Sequence, residues 1–262
     1  MSGPIPVIDR PAILIDECEE FSGENCLVIA DLHLGLEIEM RKKGFRVPSM
    51  DETLFSLLLS MADTSNNLVI LGDVKHSISL DGRYEKKKVL QFLAKISYIF
   101  KRVVIVPGNH DGNIGELVAS TERENIVVAD SRGIVLGRTG LFHGHAWPSP
   151  EVMSCESAIM GHNHPVVGFE DSHGVISKRE AWLKIPLSSC IEDGEMASMY
   201  DSIPRELIIL PAFNPYLGGV DVVRDGFMGP ILKSLPQPCT DGAHIFLMDG
   251  TYLGELEDIR GS

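Results

Sequence analysis

Residues with metal-ligand or acid–base side chains stand directly after five separate apolar runs of this sequence. The clearest case is residues 103–111, where the β-branched run Val-Val-Ile-Val is followed by Pro-Gly and then by Asn109, His110 and Asp111. An amide oxygen, an imidazole and a carboxylate in succession can bind a metal ion or transfer a proton. The five runs are followed in turn by Asp31 and His33, by Asp73, by Asn109 and His110, by His143 and His145, and by His162 and His164.

These polar residues need a scaffold that brings them together, and the sequence predicts one. The runs at residues 26–30, 68–71 and 103–106 are typical of buried strands, and the segments 36–43, 51–61 and 84–99 between them have the pattern of helices. Loops at the carboxyl ends of strands in an open α/β sheet converge on one crevice. We therefore expect the five loops to line one site.

The second half of the chain has a different pattern. After Pro165, short strand-like runs alternate with Gly, Pro and Asp turns, which predicts an antiparallel meander. The acidic segment 188–202 is expected to be the longest loop. Neither a repeat nor a change in composition marks a boundary, so we predict two sheets within a single domain that spans residues 1–262.

The residues collected at the strand ends form a mixed nitrogen and oxygen ligand set. Two carboxylates, one amide oxygen and several imidazoles suit Mn²⁺, Fe or Zn²⁺, and they do not suit Ca²⁺. The set is larger than one such ion needs, and a carboxylate that bridges two ions accounts for its size. Two-metal sites of this kind clamp both oxygens of an in-line phosphoryl displacement.

Each histidine can also have a purely structural role, and a single one usually does. Five strand ends with the same residue types make that interpretation improbable for the set as a whole. His173 and His244 lack this context and are expected to be structural. His76 and His145 are expected near the site, as contacts of ligands or of substrate and not as ligands themselves.

The ordered motifs resemble those of one known superfamily. The series Asp31-x-His33, Gly72-Asp73, Gly108-Asn109-His110-Asp111, His143 and Gly161-His162-x-His164 is similar to the calcineurin-like metallophosphoesterases over roughly residues 26–170. The resemblance implies an α/β fold with four layers, α/β/β/α, in which two mixed β-sheets are flanked by helices. This metallo-dependent phosphatase fold agrees with the two sheets predicted above.

The resemblance also implies a role for each matching residue. The first ion would be held by Asp31, His33, Asp73 and His164, and the second by Asp73, Asn109, His143 and His162. His110 would contact the phosphate and protonate the leaving oxygen, with Asp111 orienting its ring, and a hydroxide between the ions would be the nucleophile. The two ions would be divalent transition metals, with Mn²⁺ favoured and Fe, Zn or Ni as alternatives.

One motif departs from the common pattern of the superfamily. Many members have Gly-Asp-x-x-Asp or Gly-Asp-x-x-Asn where this chain has Gly72-Asp73-Val74-Lys75-His76. That motif and the segments 147–150, 211–214 and 249–254 resemble a narrower group, the prokaryotic ICC-like or DNA-ligase-associated metallophosphoesterases. This second resemblance implies a role in nucleic-acid metabolism and association with a DNA helicase or ligase.

Composition limits the compartment and the partners. Five scattered cysteines with no C-x-x-C pair argue against a disulfide framework, and no apolar run is long enough to span a bilayer. With no signal-peptide pattern either, we expect a cytoplasmic protein with reduced thiols. The net charge of −14 disfavours general DNA binding, but bound cations would still admit a small phosphate ester.

The leading hypothesis from the sequence is therefore a dinuclear-metal phosphodiesterase that hydrolyses phosphate esters. A nuclease would need a basic groove, and the sequence offers only scattered cations at residues 41–43 and 86–88, which are typical of solvated helix surfaces. A non-catalytic scaffold with this fold is the alternative from another class of protein. The intact His110 and the complete ligand set argue against it.

Overall fold

The computed structural model describes residues 3–78, 83–188, 191 and 195–260. The first sheet has six strands in the order in which they occur along the chain. They are β1 (Ile5–Pro6), β2 (Ile13–Cys18), β3 (Glu24–Ala30), β4 (Asn67–Leu71), β5 (Arg102–Val106) and β6 (Ile126–Val128). Strands β1 to β3 are antiparallel neighbours, whereas β3 to β6 are parallel, so this sheet is mixed.

Within the described residues, the second sheet has nine strands and is also mixed. They are β7 (Ile134–Leu136), β8 (Thr139–Phe142), β9 (Ser157–Met160), β10 (Pro165–Glu170), β11 (Ile176–Pro186), β12 (Glu206–Ile209), β13 (Val220–Asp221), β14 (His244–Leu247) and β15 (Tyr252–Glu255). Strand β9 lies parallel to both β8 and β12, and β10 lies parallel to β13. Among the strands after Pro165, the pairs β10–β11, β11–β12, β11–β14 and β14–β15 are antiparallel, as the predicted meander requires, and β13 is the exception within it.

Helices cover the outer face of each sheet. They are α1 (Leu36–Lys42), α2 (Asp51–Leu59), α3 (Arg83–Ile99), α4 (Ile114–Ala119), α5 (Pro150–Met153), α6 (Glu195–Met199), α7 (Pro230–Ser234), α8 (Gln237–Asp241) and α9 (Leu256–Arg260). Short 3₁₀ helices lie at Glu19–Phe21 and Ala62–Thr64. The predicted loop 188–202 contains α6, and residues 189–190 and 192–194 of that prediction lie outside the described residues.

Three buried apolar clusters hold the layers together. Side chains alternate along a strand, so Leu27 and Ile29 of β3 pack with Leu54, Phe92 and other residues of α2 to α4 on one face. Val28 and Ala30, on the opposite face of the same strand, pack between the sheets with residues such as Ile159 and Ile208 of the second sheet.

The third cluster joins the outer face of the second sheet to the later helices, through residues such as Leu183, Ile209 and Ile231. The resulting order of layers is helix, sheet, sheet, helix, which confirms the predicted four-layer α/β/β/α fold.

The cysteines differ in one respect from the expectation of reduced thiols. Cys18, Cys26 and Cys155 are free, and the first two are buried. Cys239, at the buried side of α8, is disulfide-bonded. The prediction of a fully reduced set is wrong for Cys239, because sequence spacing does not reveal which cysteines the fold brings together.

Candidate metal centre and active site

Five loops meet at the carboxyl ends of strands β3, β4, β5, β8 and β9. Within the first sheet, backbone hydrogen bonds tie the first two loops together: the N–H of Asp31 donates to Gly72 O at 3.2 Å, and that of His33 to Asp73 O at 2.8 Å. Within the second sheet, the N–H of Gly161 donates to His143 O at 3.1 Å. The loops of the two sheets face each other, so the predicted convergence of the five strand ends is observed.

The first cluster of ligand-type side chains consists of Asp31, His33 and His164. One potential ligand atom from each lies within 4.8 Å of the other two. The closest pair is Oδ1 of Asp31 and Nε2 of His164, which are 3.0 Å apart. Within the described residues, the buried atoms Oδ1 of Asp31, Nε2 of His33 and Nε2 of His164 have no partner in hydrogen-bond geometry.

The second cluster consists of Asp73, His143 and His162, again within 4.8 Å. Oδ2 of Asp73 lies 3.5 Å from Nε2 of His143 in this cluster and 3.3 Å from Nε2 of His33 in the first. Asn109 adds its side-chain oxygen, Oδ1, 3.3 Å from Nε2 of His143. The carboxylate of Asp73 thus lies between the two clusters.

These residues fit a pair of divalent cations. The carboxylates of Asp31 and Asp73 are buried, with 0% and 2% exposure, and buried charge needs a compensating partner. The three unpartnered buried atoms of the first cluster are a carboxylate oxygen and two imidazole nitrogens, which are the donor types that transition metals bind. A mixed nitrogen and oxygen set of this composition could hold metal at both clusters.

Backbone groups orient the ligand-type side chains. Oδ2 of Asp31 accepts from the N–H of His162 at 2.9 Å, and Oδ1 of Asp73 accepts from the N–H of His110 at 2.9 Å. Nδ1 of His143 donates to Leu71 O at 2.9 Å, which leaves Nε2 without its hydrogen in the neutral ring. In each case one atom is held by the backbone and the other faces the cluster, as is usual around metal ligands.

The backbone at these loops is strained. Eight non-glycine residues of the described ranges have positive φ, and five of them are predicted ligands: Asp31, His33, Asp73, His162 and His164. The left-handed region is unfavourable for residues with a Cβ, and such strain concentrates at functional sites. The packing between the two sheets therefore holds these five side chains in orientations that an isolated loop would not adopt.

Two glycines permit close contact between loops. Gly72 has φ of 73°, and a Cβ on it would lie 2.3 Å from Nδ1 of His143. A Cβ on Gly108 would lie 2.2 Å from Oδ1 of Asp73. Both distances are far below van der Waals contact, so any larger residue would displace a ligand-type side chain.

Mutual charge sets the protonation of the cluster in the metal-free protein. Burial alone would raise the pKa of Asp73, but the imidazoles of His143 and His33 hold it well below its ordinary value. Burial alone would lower the pKa of His143, yet the carboxylates of Asp73 and Asp31 outweigh it and raise this pKa to about 9. Burial and the neighbouring His143 lower the pKa of His162 to about 4, so the ring of His162 is neutral at pH 7.

His110 belongs to neither of the two clusters, but one of its nitrogens faces them. Its Nδ1 donates a hydrogen bond to the backbone carbonyl of His76. Its Nε2 lies 4.0 Å from Oδ2 of Asp73, and the side chain is 24% exposed. A nitrogen that is accessible and close to the clusters can reach a substrate that binds there.

Asp111 does not have the contact that the resemblance implied. Its buried carboxylate accepts hydrogen bonds from the backbone N–H groups of Gly108, Val74 and Lys75, at 3.0, 3.2 and 3.4 Å. The His110 ring is instead held by the carbonyl of His76. In the described part of the chain, Asp111 thus joins the β4 and β5 loops and orients His110 only through the backbone.

Lys75 is a site residue that the sequence reasoning missed. Its side chain is fully buried, and its Nζ donates to the carbonyls of Ser77, Ile78 and His110. Burial lowers its pKa, which neighbouring carboxylates partly offset. From the sequence, a lysine two residues after Asp73 is expected to be exposed to solvent. No pattern in the sequence could therefore have predicted that Lys75 is buried and binds backbone carbonyls of the site.

The remaining histidines lie where they were expected, apart from His76, whose contacts are more extensive. The ring centroid of His145 is 5.2 Å from that of His143, beside the second cluster. His173 is exposed in a turn, and Nδ1 of His244 contacts the hydroxyl of Tyr252 at 2.9 Å, away from the clusters. His76 lies beside both His33 and His110, whose ring centroids are 5.3 and 5.6 Å from its own.

Comparison with known proteins agrees with the fold. The sequence model of the calcineurin-like phosphoesterase family matches residues 25–193, which is more than half of the chain. The chain therefore belongs to the calcineurin-like phosphoesterases, and the resemblance seen in its motifs is confirmed. The class of reaction that this membership supports is the hydrolysis of phosphate esters.

Two solved structures are similar to the chain at low sequence identity. The crystal structure of the Pseudomonas putida nuclease MPE has a TM-score of 0.58 and 22% identity, covering 94% of this chain and 96% of the nuclease. A protein of unknown function from Aquifex aeolicus has a TM-score of 0.36 and 19% identity, covering 52% of this chain and 77% of that one. The first likeness shows a shared fold.

The sequence matches none of the curated proteins. Among the described residues, helices of the length and apolarity that a bilayer requires are absent.

Proposed function

We propose that this chain is a single-domain phosphodiesterase, spanning residues 1–262, that hydrolyses its substrate with two divalent metal ions. The observation that carries the proposal is the position of Asp73. Its Oδ2 lies 3.3 Å from Nε2 of His33 and 3.5 Å from Nε2 of His143, so one carboxylate serves both clusters. Bridging carboxylates of this kind are typical of two-metal phosphoryl-transfer sites.

The proposed ligands follow the two clusters. The first ion would be held by Asp31, His33, Asp73 and His164, and the second by Asp73, Asn109, His143 and His162. Mn²⁺ is the proposed native metal, with Fe, Zn and Ni as alternatives, because the set mixes carboxylate and amide oxygens with imidazoles. Bound ions would supply Lewis acidity that neutralises phosphoryl oxygens and activates water at neutral pH.

The chain itself supplies the proton for the leaving group. His110 keeps Nδ1 occupied by the carbonyl of His76, and Nε2 is the nitrogen that faces the clusters. With Nδ1–H bonded to that carbonyl, the ring can donate from Nε2 only in its doubly protonated form. That form can contact the phosphate and protonate the departing oxygen, which leaves a neutral ring with its Nδ1 hydrogen in place. Asp111 supports this role indirectly, by joining the backbone of the His110 loop to that of the Asp73 loop.

A nuclease is the second candidate, and a specific feature of the surface favours it. The exposed cations Arg41, Lys42 and Lys43 lie at the end of α1, and Glu39 connects them to the site because it contacts both Lys43 and His76. Cations beside a phosphoryl-transfer site could contact the phosphates of a nucleic-acid strand. The similar structure from Pseudomonas putida is also that of a nuclease. Association with a DNA helicase or ligase belongs to this candidate.

The other basic segment supports the nuclease less than its sequence suggested. Lys88 is buried and pairs with Glu37 and with Asp51, so it is not part of a cationic surface. Lys86 and Lys87 remain exposed on α3. The surface that favours nucleic acid is therefore mainly the one at residues 41–43.

Hydrolysis assays with metal-stripped protein test both candidates. We expect bis-(p-nitrophenyl) phosphate to be hydrolysed after addition of Mn²⁺, and the corresponding monoester to be a poorer substrate. Cleavage of a labelled single DNA strand under the same conditions would favour the nuclease. Failure to hydrolyse any of these esters with Mn²⁺, Fe²⁺, Zn²⁺ or Ni²⁺ would contradict the proposal and favour the non-catalytic scaffold.

A charge reversal separates the two candidates further. The double variant R41E/K42E should lose DNA cleavage selectively if these cations hold a strand, and it should hydrolyse bis-(p-nitrophenyl) phosphate like the unchanged protein. Lys233→Glu, an exposed lysine at the end of α7, is the matched control for the added negative charge. Equal DNA cleavage by all of these proteins would exclude the surface at residues 41–43 as a strand-binding site.

A further inference from the structure

His76 connects three elements of the site without being one of the proposed ligands. Its Nε2 contacts Oε2 of Glu39 at 2.5 Å, and its Nδ1 contacts Nδ1 of His33 at 3.2 Å. Its backbone carbonyl accepts the hydrogen bond from Nδ1 of His110, and its backbone N–H donates to Leu34 O at 3.0 Å. The side chain is only 13% exposed. Both ring nitrogens of His76, its backbone carbonyl and its backbone N–H thus have polar partners.

The chemistry of these contacts determines where the ring hydrogens lie. An ionised carboxylate can only accept, so Nε2 of His76 carries a hydrogen and donates it to Glu39. In the neutral ring, Nδ1 of His76 is then an acceptor, and Nδ1 of His33 must be the donor. In this tautomer Nε2 of His33 has its lone pair available to a metal ion, and Nε2 is the atom that faces Oδ2 of Asp73, at 3.3 Å.

Glu39 is well suited to start this series of contacts. It lies on α1, one turn before Lys43, and the two side chains form an ion pair. Lys43 and His76 hold the pKa of Glu39 at about 2, so the carboxylate is ionised at all physiological pH values. The carboxylate of Glu39 can therefore only accept the hydrogen bond from Nε2 of His76.

We propose that Glu39 and His76 are positioning residues that select the tautomer and the orientation of His33 for metal binding. The series runs from Glu39 through the His76 ring to the His33 ring. The direction of each hydrogen bond determines which nitrogen is the donor in the next one. The backbone carbonyl of His76 holds the His110 ring in the same way, so one loop position orients both a ligand and the proton donor. This inference rests on the proposed function, which assigns those two roles.

The effect on metal binding can be predicted from this arrangement. Without a partner at Nδ1, the His33 ring can exchange tautomers and rotate, and only one tautomer presents a lone pair at Nε2. Removing the hydrogen-bond partner of a metal-ligating histidine typically weakens metal binding by about 10–100-fold. The weakening should affect the ion held by Asp31, His33 and His164 and leave the other ion unchanged.

Two variants and a control test the proposal. His76→Ala removes the imidazole but keeps the carbonyl that holds His110, and Glu39→Ala removes the outer acceptor, whose side chain is half-exposed. Glu52→Ala is the matched control, because Glu52 is also an exposed carboxylate on a helix in an ion pair, with Lys95. Mn²⁺ affinity of each metal-stripped protein is measured by calorimetry and by electron paramagnetic resonance.

We expect both alanine variants to bind one of two Mn²⁺ ions about 10–100-fold more weakly. Glu39→Gln should lose less, because the amide oxygen can still accept the hydrogen bond from His76. A separate readout is the ¹⁵N spectrum of the histidine rings in the metal-free protein. Nδ1 of His33 should have the shift of a protonated nitrogen, and His76→Ala should move this shift towards the average of two tautomers.

The results separate this inference from the proposed function. If His33→Ala loses an ion while His76→Ala and Glu39→Ala bind both ions like the unchanged protein, the positioning role is refuted and the ligand set stands. If His33→Ala itself binds both ions with unchanged affinity, the proposed ligand set fails, and the inference fails with it. An unchanged ¹⁵N shift of His33 in His76→Ala would also refute the positioning role.

Discussion

Replacement of His110 by glutamine should remove a proton donor without removing a ligand. Nε2 of His110 is 4.0 Å from Oδ2 of Asp73, and the ring belongs to neither of the two clusters proposed to hold the ions. The contact that Asp73 does need from this residue is the backbone N–H, which every substitution other than proline preserves. The side chain is 24% exposed, so glutamine should fit without a buried cavity.

The size of the effect depends on the leaving group. General acid catalysis contributes about 10²–10⁴-fold to a rate, which is roughly 2.7–5.5 kcal/mol of transition-state stabilisation. That contribution is needed when the departing oxygen is a strong base, such as the alkoxide or phenolate of an unactivated ester. p-Nitrophenolate leaves without protonation near neutral pH, so its release should slow by only about tenfold or less.

A series of aryl phosphodiesters, graded from p-nitrophenyl to unsubstituted phenyl leaving groups, provides the assay. We expect the ratio of kcat/KM between the unchanged protein and His110→Gln to grow as the leaving group becomes more basic. Metal content should be the same in both proteins. His173→Gln, at an exposed histidine in the turn between β10 and β11, is the matched control and should behave like the unchanged protein.

Two outcomes would refute the reasoning about His110. A loss of equal size for every leaving group would mean that the imidazole contributes to binding or to charge stabilisation and donates no proton. A loss of one ion from His110→Gln would mean that His110 is itself a ligand, together with His33 and His76, because one potential ligand atom from each of these three residues lies within 4.8 Å of the others.

Three further predictions follow from the same geometry. Asp73→Asn should weaken both metal ions together, since one carboxylate lies between the clusters, and metal analysis that finds one ion fully retained would exclude the bridging position. Gly108→Ala should reduce metal affinity and activity by at least about tenfold, because the new Cβ would lie 2.2 Å from Oδ1 of Asp73. Gly112→Ala, four residues later with open space at its Cβ, should leave both unchanged, and equal effects of the two alanines would refute the steric argument. Because the pKa of His143 is raised to about 9, this ring is protonated at pH 7.5 in the metal-free protein and must lose its proton to bind an ion. Metal loading at pH 7.5 should therefore release protons. The affinity for the metal ion should rise about tenfold per pH unit for each proton released, until the pH approaches 9. Calorimetry in buffers of different ionisation enthalpy measures this release, and identical apparent enthalpies in all buffers would contradict it.

The sequence by itself determined the central strands β3, β4 and β5 of the first sheet, and it predicted the residues of the site. Apolar β-branched runs that end in glycine or proline define buried strands regardless of distant contacts, and parallel strands place their carboxyl ends at one edge. All seven proposed ligands and His110 were therefore recognisable from local pattern alone. The predicted first-half helices also differ from the observed helices only at their ends, where fraying makes the boundaries weakly defined.

The second sheet was harder to predict from the sequence. Short strands have the same sequence pattern whether their neighbours are parallel or antiparallel. The parallel pairing of β9 with β8 and β12 could therefore not be inferred from the sequence. The segment predicted as the longest loop contains α6, a helix of one to two turns whose buried Met196 packs in the cluster behind the second sheet. Short helices depend on tertiary packing for most of their stability, and local pattern predicts them poorly.

The contacts that orient the site were decided only by the tertiary structure. Lys75 and Asp111 form hydrogen bonds with backbone groups. Because backbone groups are nearly the same in every residue, the sequence does not show which of them a side chain will bind. Glu39 reaches His76 across 37 residues of chain because α1 packs beside the β4 loop. The sequence thus determined which side chains could carry out the chemistry, whereas the packing of two sheets decided their backbone strain, their tautomers and their distances. Those properties depend on neighbours that are remote in the chain, and local sequence cannot encode them separately from the fold.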